Sequence, residues 1–146
     1  GAPWRVLLPL EGFKVEEAQR NHPTRVSVLA TNPLTGMVLS AFIEDLEDNV
    51  STAFCTMFYE ARLYDSPLGQ FMEQAPVWET SQPMGFGSYF IPSFEGKEVK
   101  QKQMHGYFSV DNACVDIHLS KVNYSKGDDR MFLKTFDNVK LVRSPR

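Results

Sequence analysis

The sequence predicts an α+β fold in which antiparallel strands form a sheet and two helices pack on it. Three observations lead there. Period-two alternation of apolar and polar residues recurs along most of the chain, helical periodicity is confined to about 51–64 and 125–137, and eleven Phe with five Tyr favour β structure. The chain's 146 residues, 42% hydrophobic and 23% charged, fit one domain spanning 1–146. A domain of that size buries roughly two thirds of its unfolded surface and needs neither metal nor disulfide to fold.

The elements follow in order. Trp4 to Leu10 (WRVLLPL) reads as a short strand, and Gly12-Phe13-Lys14-Val15 opens a second that extends toward Ala18. Arg25 to Thr31 alternates as a half-buried strand does. Asn32-Pro33-Leu34-Thr35-Gly36 is a turn: Pro33 fixes φ, and Gly36 accepts the positive φ that ends it. Met37 to Ile43 then returns as the partner strand.

Ser51 offers an N-cap hydroxyl for a helix running to Tyr64. Phe54, Met57, Phe58, Ala61 and Tyr64 recur at helical spacing, and this stripe is expected to lie on the sheet. Pro83, Gly85, Gly87 and Pro92 interrupt the aromatic stretch 77–94, which predicts bent or edge strands and leaves the strand count of 66–98 open. Met84-Gly85-Phe86-Gly87-Ser88 lacks the Gly-Lys of a phosphate loop. Strands resume near Val99 and run to Val122. Ser125-Lys126-Gly127-Asp128 has capping-box spacing ahead of a helix that should bury Met131, Phe132 and Phe136, and Val139 to Val142 closes the sheet.

The candidate site lies in the hairpin at 104–121. With Asp111-Asn112 as a two-residue turn, counting outward sets Val110 against Ala113, Phe108 against Val115 and Gly106 against Ile117 on one face. The other face then holds Ser109 opposite Cys114, Tyr107 opposite Asp116 and His105 opposite His118. Side chains so opposed have Cβ atoms about 5 Å apart, near enough for two imidazoles to share a metal or for Asp116 to orient Tyr107. His105, Asp116 and His118 are therefore the candidate ligand or metal residues. Three ligands are the usual minimum for a zinc or iron centre, and a hydrated sheet face explains the same pattern without function. No catalytic motif accompanies them, no cofactor motif is present, and His22 reads as part of a loop at Pro23 and is given no role.

A net charge of −3 and a pI near 5.6 argue against nucleic acid as a partner, since phosphate recognition requires a basic surface. Lys97, Lys100 and Lys102 alternate with Glu95 and Glu98, the pattern of a solvated strand edge. No stretch approaches the roughly 20 apolar residues of a membrane helix. Cys55 and Cys114 match no zinc or redox spacing; two buried thiols are the commoner state of such a pair, and a disulfide is the alternative in an oxidising compartment. The chain opens Gly1-Ala2-Pro3 without Met, from which a removed signal or lipoprotein peptide is expected.

Two stretches resemble the PsbP-like (Mog/PsbP) superfamily, including its DcrB-like bacterial members. The first is Leu8-Pro9-Leu10-Glu11-Gly12-Phe13-Lys14-Val15, leading through the Asn32–Met37 hairpin into a Ser-capped helix. The second is Val115-Asp116-Ile117-His118-Leu119-Ser120-Lys121-Val122-Asn123-Tyr124, followed by the acidic helix start and Phe132. The resemblance covers most of the chain as a pattern of elements and is weakest over 66–98. It implies an α/β sandwich with an antiparallel sheet of six or seven strands, and an exported, non-enzymatic binding or accessory protein of bacteria, periplasmic and often lipid-anchored. It carries over no catalytic residue. Two other readings stand beside it: a protein binding metal or a small ligand through the histidine pair, and a cytoplasmic partner-binding protein of the chaperone or immunity type.

Overall fold

The computed structural model describes residues 3–22 and 25–144; Gly1 and Ala2, on which the reading of a removed leader rests, lie outside them. The described residues form strands β1 (Trp4–Leu7), β2 (Lys14–His22), β3 (Arg25–Thr31), β4 (Val38–Asp45), β5 (Met72–Glu73), β6 (Gly85–Phe94), β7 (Lys97–Val110), β8 (Ala113–Lys121) and β9 (Lys140–Arg143). Helices α1 (Thr52–Tyr64) and α2 (Asp129–Asp137) complete them, with 3₁₀ turns at Pro67–Phe71 and Lys126–Asp128. Seven strands make one antiparallel sheet in the order β2-β3-β4-β8-β7-β6-β5. His22 closes β2 instead of lying in a loop, and its side chain is outside the described residues.

Local chemistry explains the early elements. The Asn32 side chain accepts the N–H groups of Leu34 (3.0 Å) and Thr35 (3.2 Å), and Gly36 takes φ +77°, so β3 and β4 pair from Thr31–Val38 to Arg25–Glu44. Ser51 Oγ accepts the Phe54 N–H at 3.0 Å and starts α1 where the sequence places it. At α2 the Asp128 carboxylate accepts the Ser125 N–H at 2.9 Å, the reciprocal arm of a capping box. Residues 85–94 form a ten-residue strand flanked by only two residues of β5, and its register with β7 breaks around Pro92, opposite Lys100 at φ +44°.

One face of the sheet is the apolar core. Leu39 and Ala41 of β4, Met104, Phe108 and Val110 of β7, and Val115, Ile117 and Leu119 of β8 are buried against Phe132, Phe136 and Val139. Burying side chains of this size contributes about 1.5–3 kcal/mol each. Met131 is only partly buried. Gly106 admits the Phe136 ring: a Cβ there would sit 2.9 Å from it.

The last strand departs from expectation. Lys140–Arg143 does not extend the large sheet; it pairs antiparallel with β1, Trp4 opposite Arg143, in a separate two-stranded ladder. The cause is the position of α2. Because Phe132 and Phe136 hold that helix on the face of the sheet, the chain leaves it over that face and not at an edge, and Trp4, Val6 and Leu141 pack onto the core from there.

Candidate functional site

The opposite face of the sheet is polar, and α1 covers it. Register puts Gln103, His105, Tyr107 and Ser109 of β7 on this face with Cys114, Asp116 and His118 of β8 and Gly85, Gly87 and Tyr89 of β6. The pairs counted from the sequence all occur: Val110–Ala113, Phe108–Val115, Gly106–Ile117, Ser109–Cys114, Tyr107–Asp116 and His105–His118. Asp111 takes φ +53° to make the turn.

The orientation of α1 is the reverse of the expected one. Met57 is 71% and Tyr64 62% exposed, and Phe54 and Ala61 also face outward. The inner face is Thr52, Cys55, Thr56, Tyr59, Glu60 and Leu63. Two features select it. Cys55 and Cys114 are joined in a disulfide, both wholly buried, which fixes one point of the helix on β8. Thr52 Oγ1 then accepts the Ser109 N–H at 3.1 Å. A sheet face carrying His, Asp, Gln and Tyr offers little to a stripe of Phe and Met, whereas hydroxyls and a carboxylate suit it. Gly85 and Gly87 let the helix approach, because a Cβ at 85 would meet the Thr56 side chain and one at 87 the Glu60 carboxyl.

Beneath the helix the rings form a row. Tyr59 stacks on Tyr107 at 5.4 Å between centroids, Tyr107 on His105 at 5.5 Å, and His105 on His118 at 4.0 Å, with Tyr89 5.9 Å from His105. Asp116 does not orient Tyr107, the residue directly opposite it. It bonds the diagonal His105, Nδ1 to Oδ1 at 2.8 Å, and His118 Nε2 bonds the Gln103 side-chain oxygen. A carboxylate only accepts, so Nδ1 of His105 donates and Nε2 is left as its remaining polar atom.

Among the described residues, four buried polar atoms of this layer have no protein partner: His105 Nε2, Tyr107 OH, Tyr59 OH and Glu60 Oε2. Burial and the neighbouring His105 hold His118 well below the ordinary imidazole range. Burial raises the Glu60 carboxyl, against the pull of His105, and Asp116 raises it further. Burial and Asp116 raise all three phenols, Tyr89 to about 12.

His105, Asp116 and His118 are thus brought together, but the two imidazoles have separate partners. Among the described residues no group of three or more His, Cys, Asp or Glu side chains is placed to hold a metal ion. Sequence reading did not include Glu60, Tyr59 or Gln103. The alternate glycines 85 and 87 were their one signal, marking a strand face that a helix approaches closely.

Beside Asp116 the layer opens to solvent. A cleft of about 300 Å³ lies between α1 and strands β3 and β4, bounded by Arg25, Phe42, Glu44, Tyr59 and Arg62 with Asp116 at its floor. A larger one of about 600 Å³ lies on the other side of the sheet near Phe13, Met37 and Lys134, away from the ionisable layer.

No family model matches the chain, and no curated protein is a significant match to it. Among solved structures it is similar to a protein from Bacteroides thetaiotaomicron VPI-5482, with a TM-score of 0.47 and 9% identity over 99% of this chain and 50% of that one. It is also similar to LpqN of Mycobacterium tuberculosis, described as involved in cell envelope biogenesis, with a TM-score of 0.44 and 14% identity over 97% of this chain and 84% of LpqN. The chain spans half the length of the first of these.

Proposed function

We propose that this chain is an extracytoplasmic, non-enzymatic binding or accessory domain of the PsbP-like type, with an upstream export or lipid-anchoring peptide in the full gene. The observation that carries the reading is the buried Cys55–Cys114 bond. Structural disulfides persist in oxidising compartments and are rare where glutathione keeps thiols reduced, which weighs against a cytoplasmic chaperone or immunity-type role. The resemblance of the sequence to PsbP-like proteins, which carries over no catalytic residue, supports an accessory function over catalysis.

The test is alkylation of the protein in its native cells, without reduction, followed by fractionation and mass measurement. Both cysteines protected, in an extracytoplasmic fraction, is the expected result; two alkylated thiols in the cytosol reject the proposal. A second reading, small-ligand binding near His105, Asp116 and His118, is favoured by the unpartnered His105 Nε2 and the cleft at Asp116. Its metal form is tested by titration with zinc, copper, manganese and nickel. Equal heats from the native chain and a His105→Ala, His118→Ala double variant remove it.

A further inference from the structure

We propose that the cleft beside Asp116 binds a small zwitterion, with its cationic group against Asp116 and its anionic group between Arg25 and Arg62. This names a ligand class for the binding role proposed above and rests on that role, though not on the compartment.

Charge in the cleft is ordered by depth. The Asp116 side chain at the floor is 10% exposed and that of Glu44 16%, while Arg25 and Arg62 at the mouth are 60% and 56% exposed. A bare cation must pass two guanidiniums to reach Asp116, and a bare anion held by the guanidiniums faces two carboxylates behind them. A molecule carrying both charges satisfies both layers.

The groups are also held in place. His105 Nδ1 braces Asp116 from behind at 2.8 Å, so the carboxylate needs no reorganisation to receive an ammonium. Arg62 lies over the Phe58 ring at 4.0 Å, which fixes its guanidinium at the rim. Glu44 accepts a hydrogen bond from Arg25 at 3.3 Å and forms an ion pair with Arg62 at 3.7 Å, so the five N–H donors of each guanidinium keep capacity for a ligand carboxylate. Phe42 and Tyr59 supply aromatic walls for an alkylammonium, and the buried Tyr59 hydroxyl, without a protein partner, can bond the ligand. A volume of about 300 Å³ is at the lower end for ligand pockets, which suits a molecule of amino-acid size.

The experiment is calorimetric titration of the oxidised, purified chain with glycine betaine and with L-alanine, using tetramethylammonium and propionate as single-charge controls. At least one zwitterion should bind saturably and about tenfold more tightly than either control, as expected when one charged hydrogen-bond partner is lost. Asp116→Asn and Arg62→Gln should each weaken it by about tenfold. The exposed Arg62 variant keeps the test valid if Asp116→Asn does not fold. No saturable binding of either zwitterion to folded protein, equal binding of a control, or affinity unchanged by Arg62→Gln overturns the inference. Such a failure leaves the compartment result from alkylation standing, and two alkylated thiols in the cytosol would leave zwitterion binding by the oxidised chain standing.

Discussion

The rings of His105 and His118 stack at 4.0 Å, 11° from parallel, while one bonds Asp116 and the other Gln103. Charging both at once would bring two cations into contact under α1. The sign of the pH effect follows. The unfolded chain takes up the His118 proton near pH 6.5, but the folded one only well below it. Stability is unaffected above that value and falls as pH drops beneath it, by up to about 1.4 kcal/mol per unit until the folded pKa is reached. Glu60, raised in the folded state, acts with the opposite sign, gaining stability as pH falls through its value. Asp116, Tyr59, Tyr89 and Tyr107 complete the ionisable surroundings. Urea midpoints at pH 7.5, 6.5 and 5.5 should show a shallower decline for His118→Asn than for the native chain; parallel curves would refute this.

The disulfide closes a long loop. Its cysteines are 59 residues apart, and chain entropy for a loop of that length gives about 4 kcal/mol of stabilisation. Replacing both with Ala should lower Tm by roughly 10 °C in calorimetry. α1 should be the first element to gain amide exchange.

Close approach at two glycines predicts overpacking. Gly85→Ala drives a methyl group to 2.9 Å from Thr56 Cγ2, and Gly106→Ala drives one to 2.7 Å from Met84 Sδ. Each should cost about 1–3 kcal/mol in denaturant unfolding. At Gly85 the Thr56 hydroxyl lies closer still, and at Gly106 the Phe136 ring gives no room on the other side, so both variants should be destabilised.

The orientation of α1 is testable on its surface and beneath it. Met57→Gln should change stability by less than about 0.5 kcal/mol, because the side chain faces water. Phe136→Ala, in the core, should cost about 3–5 kcal/mol. Tyr107→Phe removes a buried hydroxyl that has no partner and should be neutral or stabilising. A large loss there would mean that the hydroxyl is bonded in solution.

Much of this was legible from residues alone, because the governing interactions are local. Ser51 starts its helix, Asn32–Gly36 turns its hairpin, and the period of two carries the register from Asp111-Asn112 outward to His105 and His118. What the chain order hid is non-local. α1 has two plausible inner faces, and the Phe54–Tyr64 stripe is the more apolar; the bond from Cys55 to a residue 59 positions away chooses the other. Likewise, Lys140–Arg143 has the composition of a sheet strand, and only the seat of α2 on Gly106 diverts it to β1. Asp116 chose the diagonal histidine over the tyrosine opposite it, a preference set by side-chain reach and invisible to register counting.

The ladder of β1 and β9 has a geometric consequence. Trp4 and Arg143 lie side by side, and the Ser144 N–H bonds the Pro3 carbonyl at 2.8 Å. Polypeptide spliced on ahead of one and after the other would enter and exit at a single point, so a host chain would carry this unit as a side branch. Joining those two ends with a short linker and opening a loop elsewhere should permute the chain circularly without disturbing the ring row under α1.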